Sequence, residues 1–240
     1  MQVAPVDDYA VGGATTGHDN VNDGLFGMVY PGLQDQVAAF VATIPPTGAD
    51  SNALYVIWAG ANDFFAAIGG GVGPAELIGT GVGNTAHTVQ VLWQSGARHI
   101  MVVNVPDLGI TPFGRGSGIG ESITQLAAAY NATLESTLSS MDSAGIHTIR
   151  VDAFSTLQSM VNHPEQFGFT NVMQPFLATG GDSSKFLYWD QVHPTTRGHE
   201  VLAGSALQSL YEHFLNSTNG AFAPARVNSL NGLVRADERR

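Results

Sequence analysis

Two apolar runs constrain the fold of this chain more than any other feature of its sequence. Residues 53–60 (ALYVIWAG) and 99–107 (HIMVVNVPD) are nearly continuous stretches of aliphatic and aromatic residues, ended by Gly or by Pro-Asp. Strands with helices on both faces have this composition, because neither face meets water. A weaker run at 146–153 (IHTIRVDA) adds a third predicted strand. The sequence therefore predicts a central parallel sheet.

Segments with helical periodicity alternate with these runs. Residues 32–44 place Leu33, Val37, Val41 and Ile44 on one helical face. Further helices are predicted at 74–95, 118–144 and 196–215. Gly79, Gly81 and Gly83 can interrupt the first of these. Strands that alternate with helices are typical of a three-layer α/β/α fold.

The length and composition favour one domain. The chain has 240 residues, of which 44% are hydrophobic, and this is enough to bury one substantial core. We assign residues 1–215 to the domain. Residues 216–240 are polar and are interrupted by Gly and Pro, so they are interpreted as a tail.

The charges and the cysteine content exclude several classes of function. The net charge is −11 and the nine Lys and Arg residues are scattered, so nucleic acid is not an expected partner. No apolar run approaches the roughly 18 residues of a membrane span, and the first residues lack the basic and apolar parts of a signal peptide. The chain has no Cys, which excludes disulfides, thiolate nucleophiles and Cys-bound zinc but leaves the compartment open.

Two polar or Gly-rich segments are expected at the carboxyl edge of the sheet, where chemistry gathers in folds of this class. In residues 9–17 (YAVGGATTG), Gly12 and Gly13 allow a backbone N–H to approach developing negative charge; the alternative is an ordinary Gly-Gly turn. In residues 58–65 (WAGANDFF), Asn62 follows a strand at a helix start. Its amide can serve as an oxyanion donor or simply cap the helix.

A third segment, residues 186–200 (FLYWDQVHPTTRGHE), carries Asp190 and His193. Pro194 disfavours helix at His193 and so holds the imidazole in a loop. Asp190 can accept the Nδ1 proton, which leaves Nε2 to act as a base. The alternatives are an exposed His and an Asp that caps the following helix.

Taken together, these segments resemble the SGNH hydrolases, also called the GDSL esterase/lipase family, in its lipase-like branch. The resemblance covers residues 8–215, and WDQVHPT is its most specific part. It implies a flavodoxin-like sheet and ester hydrolysis by a Ser–His–Asp triad. Gly13 and Asn62 would be the oxyanion donors, His193 the base and Asp190 its partner. It also implies a small ester or lipid-like substrate and no cofactor, and relatives of this kind are often secreted.

The chain departs from the family pattern at the nucleophile. These enzymes begin with a buried strand that ends in a Gly-Asp-Ser turn, and this block is absent before residues 9–17. The sheet is therefore expected to lack its first central strand. Substitute serines are Ser183 in GGDSSKF and Ser229 in RVNSLNGL, while Ser51 is expected at the wrong end of a strand; all three can also be plain turn residues.

Loss of a central strand would leave a gap, because each buried aliphatic side chain contributes about 1.5–3 kcal/mol. We consider three outcomes. In the first, residues 221–235 or a partner chain fill the gap, and the partner chain would complete the sheet as a homo-oligomer. In the second the sheet closes with fewer strands, and in the third the chain is a fragment of a longer esterase.

The alternative function is a catalytically silent remnant that serves as a binding or scaffold domain.

Other chemistries have weaker support in the sequence. Asp190, His193 and His199 do not have a conventional metal-ligand spacing, so no metal is expected. The Gly-rich residues 68–83 match neither G-x-G-x-x-G nor the P-loop, so a nucleotide site is not expected either.

Overall fold

The computed structural model describes residues 7–217. The strands are β1 (Leu54–Trp58), β2 (His99–Val103) and β3 (Thr148–Val151). The helices are α1 (Leu33–Val41), α2 (Ala61–Gly70), α3 (Pro74–Gln94), α4 (Pro112–Gly116), α5 (Gly120–Ser143), α6 (Ala153–Asn162), α7 (Phe176–Thr179) and α8 (Thr196–Ser217). Short 3₁₀ turns lie at Leu25–Gly27, Leu108–Ile110, Pro164–Phe167 and Ser183–Lys185.

Within the described residues, the three strands form one parallel sheet in the order β1-β2-β3. Leu54 is in register with His99, and Ile100 is in register with Thr148. All three apolar runs are strands, which confirms the predicted α/β class and parallel sheet.

Helices cover the two faces of the sheet, and each face has its own core. On the first face, Ile57, Ile100 and Val102 belong to the core that α3 and α5 complete. On the second face, the side chains of β2 and β3 belong to a core completed by α6 and α8; its strand members are Met101, Val103, Ile149 and Val151. The fold is thus three-layered at β2 and β3.

β1 differs from the other two strands. Its residues Leu54, Val56 and Trp58 face the same side as Met101 and Val103, yet all three are exposed. Within residues 7–217 no helix covers this part of the second face, and no strand pairs with the outer edge of β1. Within residues 7–217 the sheet has therefore not closed around the expected gap, and β1 is left as an outer strand, as the missing first strand predicts.

Two details correct the sequence-based expectations. α3 runs without interruption through its three glycines, and Gly81 is needed there because a Cβ would lie 2.7 Å from the ring of Tyr130 on α5. α1 ends at Val41, so Ile44 lies outside the helix.

α8 extends to Ser217, while residues 218–240, which contain most of the predicted tail, lie outside the described residues. The domain boundary stays a prediction.

Candidate active site

The Gly12–Gly13 turn is held from behind by two asparagine side chains. Asn20 and Asn22 each donate a hydrogen bond from Nδ2 to the carbonyl oxygen of Gly12, both at 3.1 Å. Gly13 has φ +87°, and a Cβ at this position would collide with both side chains. The turn therefore requires glycine for its backbone conformation and for its close packing. No sequence motif indicates the role of these two asparagines.

Asn62 is the second residue of α2, and its side chain does not cap the helix. The N-cap position is Gly60, and Asn62 Nδ2 donates a hydrogen bond to the carbonyl oxygen of Ala14 at 3.0 Å. The N-cap alternative is therefore wrong. The amide of Asn62 instead lies beside the residue that follows Gly13.

The next residue, Asp63, fixes the same loop to α2. Its Oδ2 accepts the backbone N–H of Thr16 at 2.9 Å, and its Oδ1 accepts the Thr16 hydroxyl at 2.5 Å. Burial raises the pKa of Asp63, and the hydrogen bonds from Thr16 offset part of that rise. Asp63 thus fixes the loop that follows Gly13 to the helix that carries Asn62, a contact that the sequence did not reveal.

Asp190 and His193 form the hydrogen-bonded pair that the sequence predicts. Asp190 Oδ2 lies 2.8 Å from His193 Nδ1, and Asp190 Oδ1 accepts the backbone N–H groups of Val192 at 2.9 Å and His193 at 2.7 Å. The side chain of His193 is 70% exposed. With Nδ1 engaged by the carboxylate, Nε2 is the nitrogen left to receive a proton from a substrate or nucleophile.

The electrostatics of Asp190 suit this arrangement. Partial burial alone would raise its pKa, but the backbone N–H groups of His193 and Val192 and the His193 ring donate hydrogen bonds that lower it overall. Asp190 is therefore ionised at neutral pH. The loop that carries the pair is anchored at both ends. Tyr188 and Pro194 form an isolated antiparallel β-bridge, and the buried Thr195 donates a hydrogen bond from Oγ1 to the Phe186 carbonyl.

A chain of contacts connects the two halves of the site. Phe113 donates its backbone N–H to the carbonyl oxygen of Gln191 at 2.8 Å, between Asp190 and His193. Its ring packs edge-on against Phe65, with centroids 5.4 Å apart, and Phe65 lies one turn after Asn62 on α2. Both halves therefore lie at the carboxyl edge of the sheet.

The serines raised by the sequence occupy turns. Ser183 begins a 3₁₀ turn that is capped by Asp182, and it follows α7 rather than a strand. Ser51 precedes β1 and lies at the amino end of the sheet, as expected. Ser229 lies outside the described residues. None of the three described strands is followed directly by a serine; the residues that follow are Ala59, Asn104 and Asp152.

His199 is engaged within its own helix, because its Nδ1 lies 3.0 Å from the carbonyl oxygen of Thr195. Within the described part of the chain, no group of three His, Asp or Glu side chains has metal-binding geometry. Among the helices of residues 7–217, none combines the length and apolarity that crossing a bilayer requires.

The structure combines a parallel sheet between two layers of helices with an Asp–His pair and an amide-rich turn at the carboxyl edge, which places the chain in the α/β class. A sequence profile of the GDSL-like Lipase/Acylhydrolase family matches residues 2–205. The chain belongs to this family, which confirms the resemblance drawn from its motifs.

Curated relatives agree with this assignment. GDSL esterase/lipase At5g45950 of Arabidopsis thaliana is 30% identical over 149 residues, which are 54% of this chain and 42% of the relative. GDSL esterase/lipase At2g04570 of the same plant is 23% identical over 88% of this chain and 72% of the relative. Esterase EstA of Pseudomonas aeruginosa is 34% identical over 65% of this chain. The matched region spans less than half of the first relative and 26% of EstA.

Proposed function

We propose that this protein hydrolyses carboxylic esters by a Ser–His–Asp mechanism. His193 Nε2 removes the proton from the serine as it attacks the acyl carbonyl, and later returns it to the leaving alcohol. Asp190 holds the imidazole in the required tautomer and stabilises its charged form. The Gly13 N–H and the Asn62 amide donate hydrogen bonds to the oxyanion, and water then releases the acid.

The observation that carries this proposal is the 2.8 Å contact between Asp190 Oδ2 and His193 Nδ1. Partial exposure of the ring and ionisation of its partner are what a general base needs. Support for the oxyanion donors comes from two contacts between α2 and the loop that contains Gly13: Asn62 donates to the Ala14 carbonyl, and Asp63 accepts from Thr16. An exposed His without such a partner would not favour this chemistry over a surface role.

We propose that the nucleophilic serine is carried by a strand that pairs with the outer edge of β1, which no strand of residues 7–217 occupies. The sources considered are residues 221–235 of this chain, which include Ser229, a segment of a longer product, and a second copy that completes the sheet as a homo-oligomer. Ser183 remains a separate candidate because it lies on the segment just before Asp190. The substrate is proposed to be a small or lipid-like ester.

A serine-directed fluorophosphonate probe tests the mechanism on the full chain. We expect one labelled serine, identified by peptide mass analysis, and loss of the label in His193→Ala. Asp190→Asn should lower hydrolysis of p-nitrophenyl butyrate by about 10³–10⁴-fold. Ser183→Ala and Ser229→Ala are compared in the same assay, because only the variant that lacks the nucleophilic serine should lose the label. Labelling that persists in His193→Ala contradicts the proposed role of the imidazole.

A second candidate function is ligand binding without turnover. It is favoured by one observation: no serine directly follows any of the three described strands. In this case the chain would not react with the probe, yet the Asp190–His193 and Gly13–Asn62 groups would still bind an ester or a carboxylate. The absence of labelling together with retained ligand binding would select this function over catalysis.

A further inference from the structure

Two groups of exposed apolar side chains lie next to the candidate site. The first, here called the apolar loop, is residues 21–29, in which Phe26 is 87% and Val29 84% exposed. Val21, Leu25 and Met28 of the same loop are also exposed. The second, called the Trp189 platform, consists of Met173, Leu177 and Trp189. Together the two groups contain half of the large exposed apolar side chains of residues 7–217, so their clustering needs an explanation.

The apolar loop is an ordered structure that directs its side chains away from the protein. Asp23 accepts the backbone N–H groups of Asn20 at 3.0 Å and Tyr30 at 2.8 Å, and Gly24 donates to the Met28 carbonyl at 2.9 Å. Among the described residues, Phe26 is the one non-glycine with a positive φ, at 57°. An aromatic residue rarely adopts this conformation, and here the conformation does not bury the ring.

Each group is attached directly to one half of the site. Val21 donates its N–H to the Gly13 carbonyl at 2.9 Å, which joins the apolar loop to the candidate oxyanion turn. Trp189 donates its N–H to the His193 carbonyl at 2.8 Å, and Leu177 donates to the Trp189 carbonyl at 3.0 Å. A partner that contacts these side chains therefore reaches the entrance of the site.

The charges near the apolar loop select the kind of partner. No Lys or Arg occurs in the sequence before Arg98, while Asp19 and Asp23 lie within or beside the loop. An anionic lipid surface attracts basic residues, and the apolar loop has none, while two carboxylates lie within or beside it. Beside the Trp189 platform, Arg115 is a nearby cation, and its Nη1 is already engaged by the Val172 carbonyl at 2.8 Å; Lys185 lies four residues before Trp189 in the chain. A surface without net charge does not need basic residues, and burial of apolar side chains alone can drive its binding.

We propose that the apolar loop and the Trp189 platform bind the surface of an aggregated, electrically neutral lipid. The role of this lipid binding rests on the proposed function, because an ester hydrolase that binds a lipid surface would receive its substrate at the entrance of the site. The binding itself requires no catalysis. Apolar side chains of the two groups enter the headgroup boundary, one group beside Gly13 and the other beside His193.

Co-sedimentation of the full chain with phosphatidylcholine vesicles tests this proposal. The variant Phe26→Asn/Val29→Ser should bind at least about tenfold more weakly, because two exposed apolar groups no longer leave water. Asn tolerates the left-handed backbone of residue 26, so this variant should fold. Leu207→Ser on α8 is the matched control, since Leu207 is 58% exposed and lies outside both groups. The control should bind within about twofold of the wild type.

Several results would overturn the proposal: no binding to phosphatidylcholine, binding that the loop variant leaves unchanged, or tighter binding when about 30 mol% phosphatidylglycerol is added. A loop variant that dissociates a dimer without affecting lipid binding would assign the surface to a second copy instead. His193→Ala should bind vesicles like the wild type. A chain that binds vesicles but neither hydrolyses p-nitrophenyl butyrate nor reacts with the fluorophosphonate would therefore reject the proposed function and leave this inference standing.

Discussion

β1 and β3 are the two outer strands of the same sheet, and each pairs with β2 alone among the described residues. Their environments are nevertheless opposite. Val151 on β3 is 3% exposed, whereas Val56 on β1, which faces the same side of the sheet, is 58% exposed. The difference shows that being an edge strand does not by itself expose β1. Among residues 7–217, no helix covers β1 as α6 and α8 cover β3.

The two edges also differ in charge. β3 carries Arg150, which pairs with Asp142 at 2.7 Å and Glu135 at 3.0 Å, and charged residues at an edge discourage further strand pairing. The β1 sequence LYVIW has no charge and no proline. β3 is therefore protected as an outer strand of a soluble protein usually is, while β1 has the composition of a strand with neighbours on both sides.

The largest expected effect comes from one substitution made on both strands. Val151→Ala should lower the free energy of unfolding by about 1.5–3 kcal/mol, because it removes buried methyl groups and leaves a cavity. Val56→Ala should change it by less than about 0.5 kcal/mol, because the side chain is already in water. Urea denaturation of the two variants measures the difference. Equal losses would mean that β1 is covered in solution.

The carboxyl ends of the two edge strands provide a second comparison, between Asp63 after β1 and Asp152 after β3. Asp63→Ala should cost about 1–3 kcal/mol, since it leaves the buried N–H and hydroxyl of Thr16 without their acceptor. The two carboxylates should also respond to pH in opposite ways. Burial raises the pKa of Asp63, whereas for Asp152 the effect of burial is outweighed by hydrogen bonds from Ser155 and Asn104, which lower its pKa.

The sign follows from proton linkage. Between the ordinary Asp pKa of about 4 and the raised pKa of native Asp63, the native state binds more protons than the unfolded chain. The contribution of Asp63 to stability therefore falls as pH rises through this range. The contribution of Asp152 is present above about pH 4 and is lost as pH falls through its lowered pKa. As pH rises from 3 to 7, the free energy of unfolding of Asp63→Asn should therefore increase relative to that of the wild type. That of Asp152→Asn should decrease relative to the wild type over the same range. The same trend in both variants would contradict this assignment.

A smaller effect is expected from removing the charge on β3. Arg150→Ala should cost about 0.5–1 kcal/mol, because its ion pairs with Asp142 and Glu135 are partly exposed. The loss should shrink in high salt, which screens such pairs. Chemical denaturation at low and high ionic strength checks this. A loss independent of salt would indicate that packing of the aliphatic part of Arg150 matters more than its charge.

The smallest effect on stability is expected at β1 itself. Val56→Lys should change the free energy of unfolding by less than about 0.5 kcal/mol, yet it should block any strand pairing or self-association at this edge. Sedimentation velocity over a range of concentrations measures the association. Leu207→Lys is the control, because Leu207 has the same 58% exposure on α8. A wild-type chain that stays monomeric at all concentrations would exclude the homo-oligomer.

Much of the fold follows from the sequence because its signals are local. The strands are short runs of adjacent apolar residues, and the Asp190–His193 pair depends on a separation of three residues before a proline. The exposure of β1 could not be predicted, since LYVIW is as apolar as the HIMVV of β2, and only the arrangement of helices distinguishes them.

The residues that hold the candidate site in place could not be predicted either, because their contacts join segments that are distant in the sequence. The contact of Thr16 with Asp63 joins residues 47 positions apart, and nothing local in either segment indicates the other. Asn20 and Asn22 resemble ordinary loop residues until the turn brings them behind Gly12. The continuity of α3 was missed because glycine usually weakens helices, whereas Gly81 is required by contact with Tyr130.

The central claim is that the His193 imidazole, the Asn62 amide and the Gly13 N–H face a single carbonyl position. Butylphosphonate, a tetrahedral anion that resembles the transition state of ester hydrolysis, tests this without requiring a nucleophile. In an NMR titration, the signals of the His193 ring, the Asn62 side-chain amide and the Gly13 N–H should all shift with one common Kd. Separate affinities, or shifts confined to His193, would show that the two halves do not form one site.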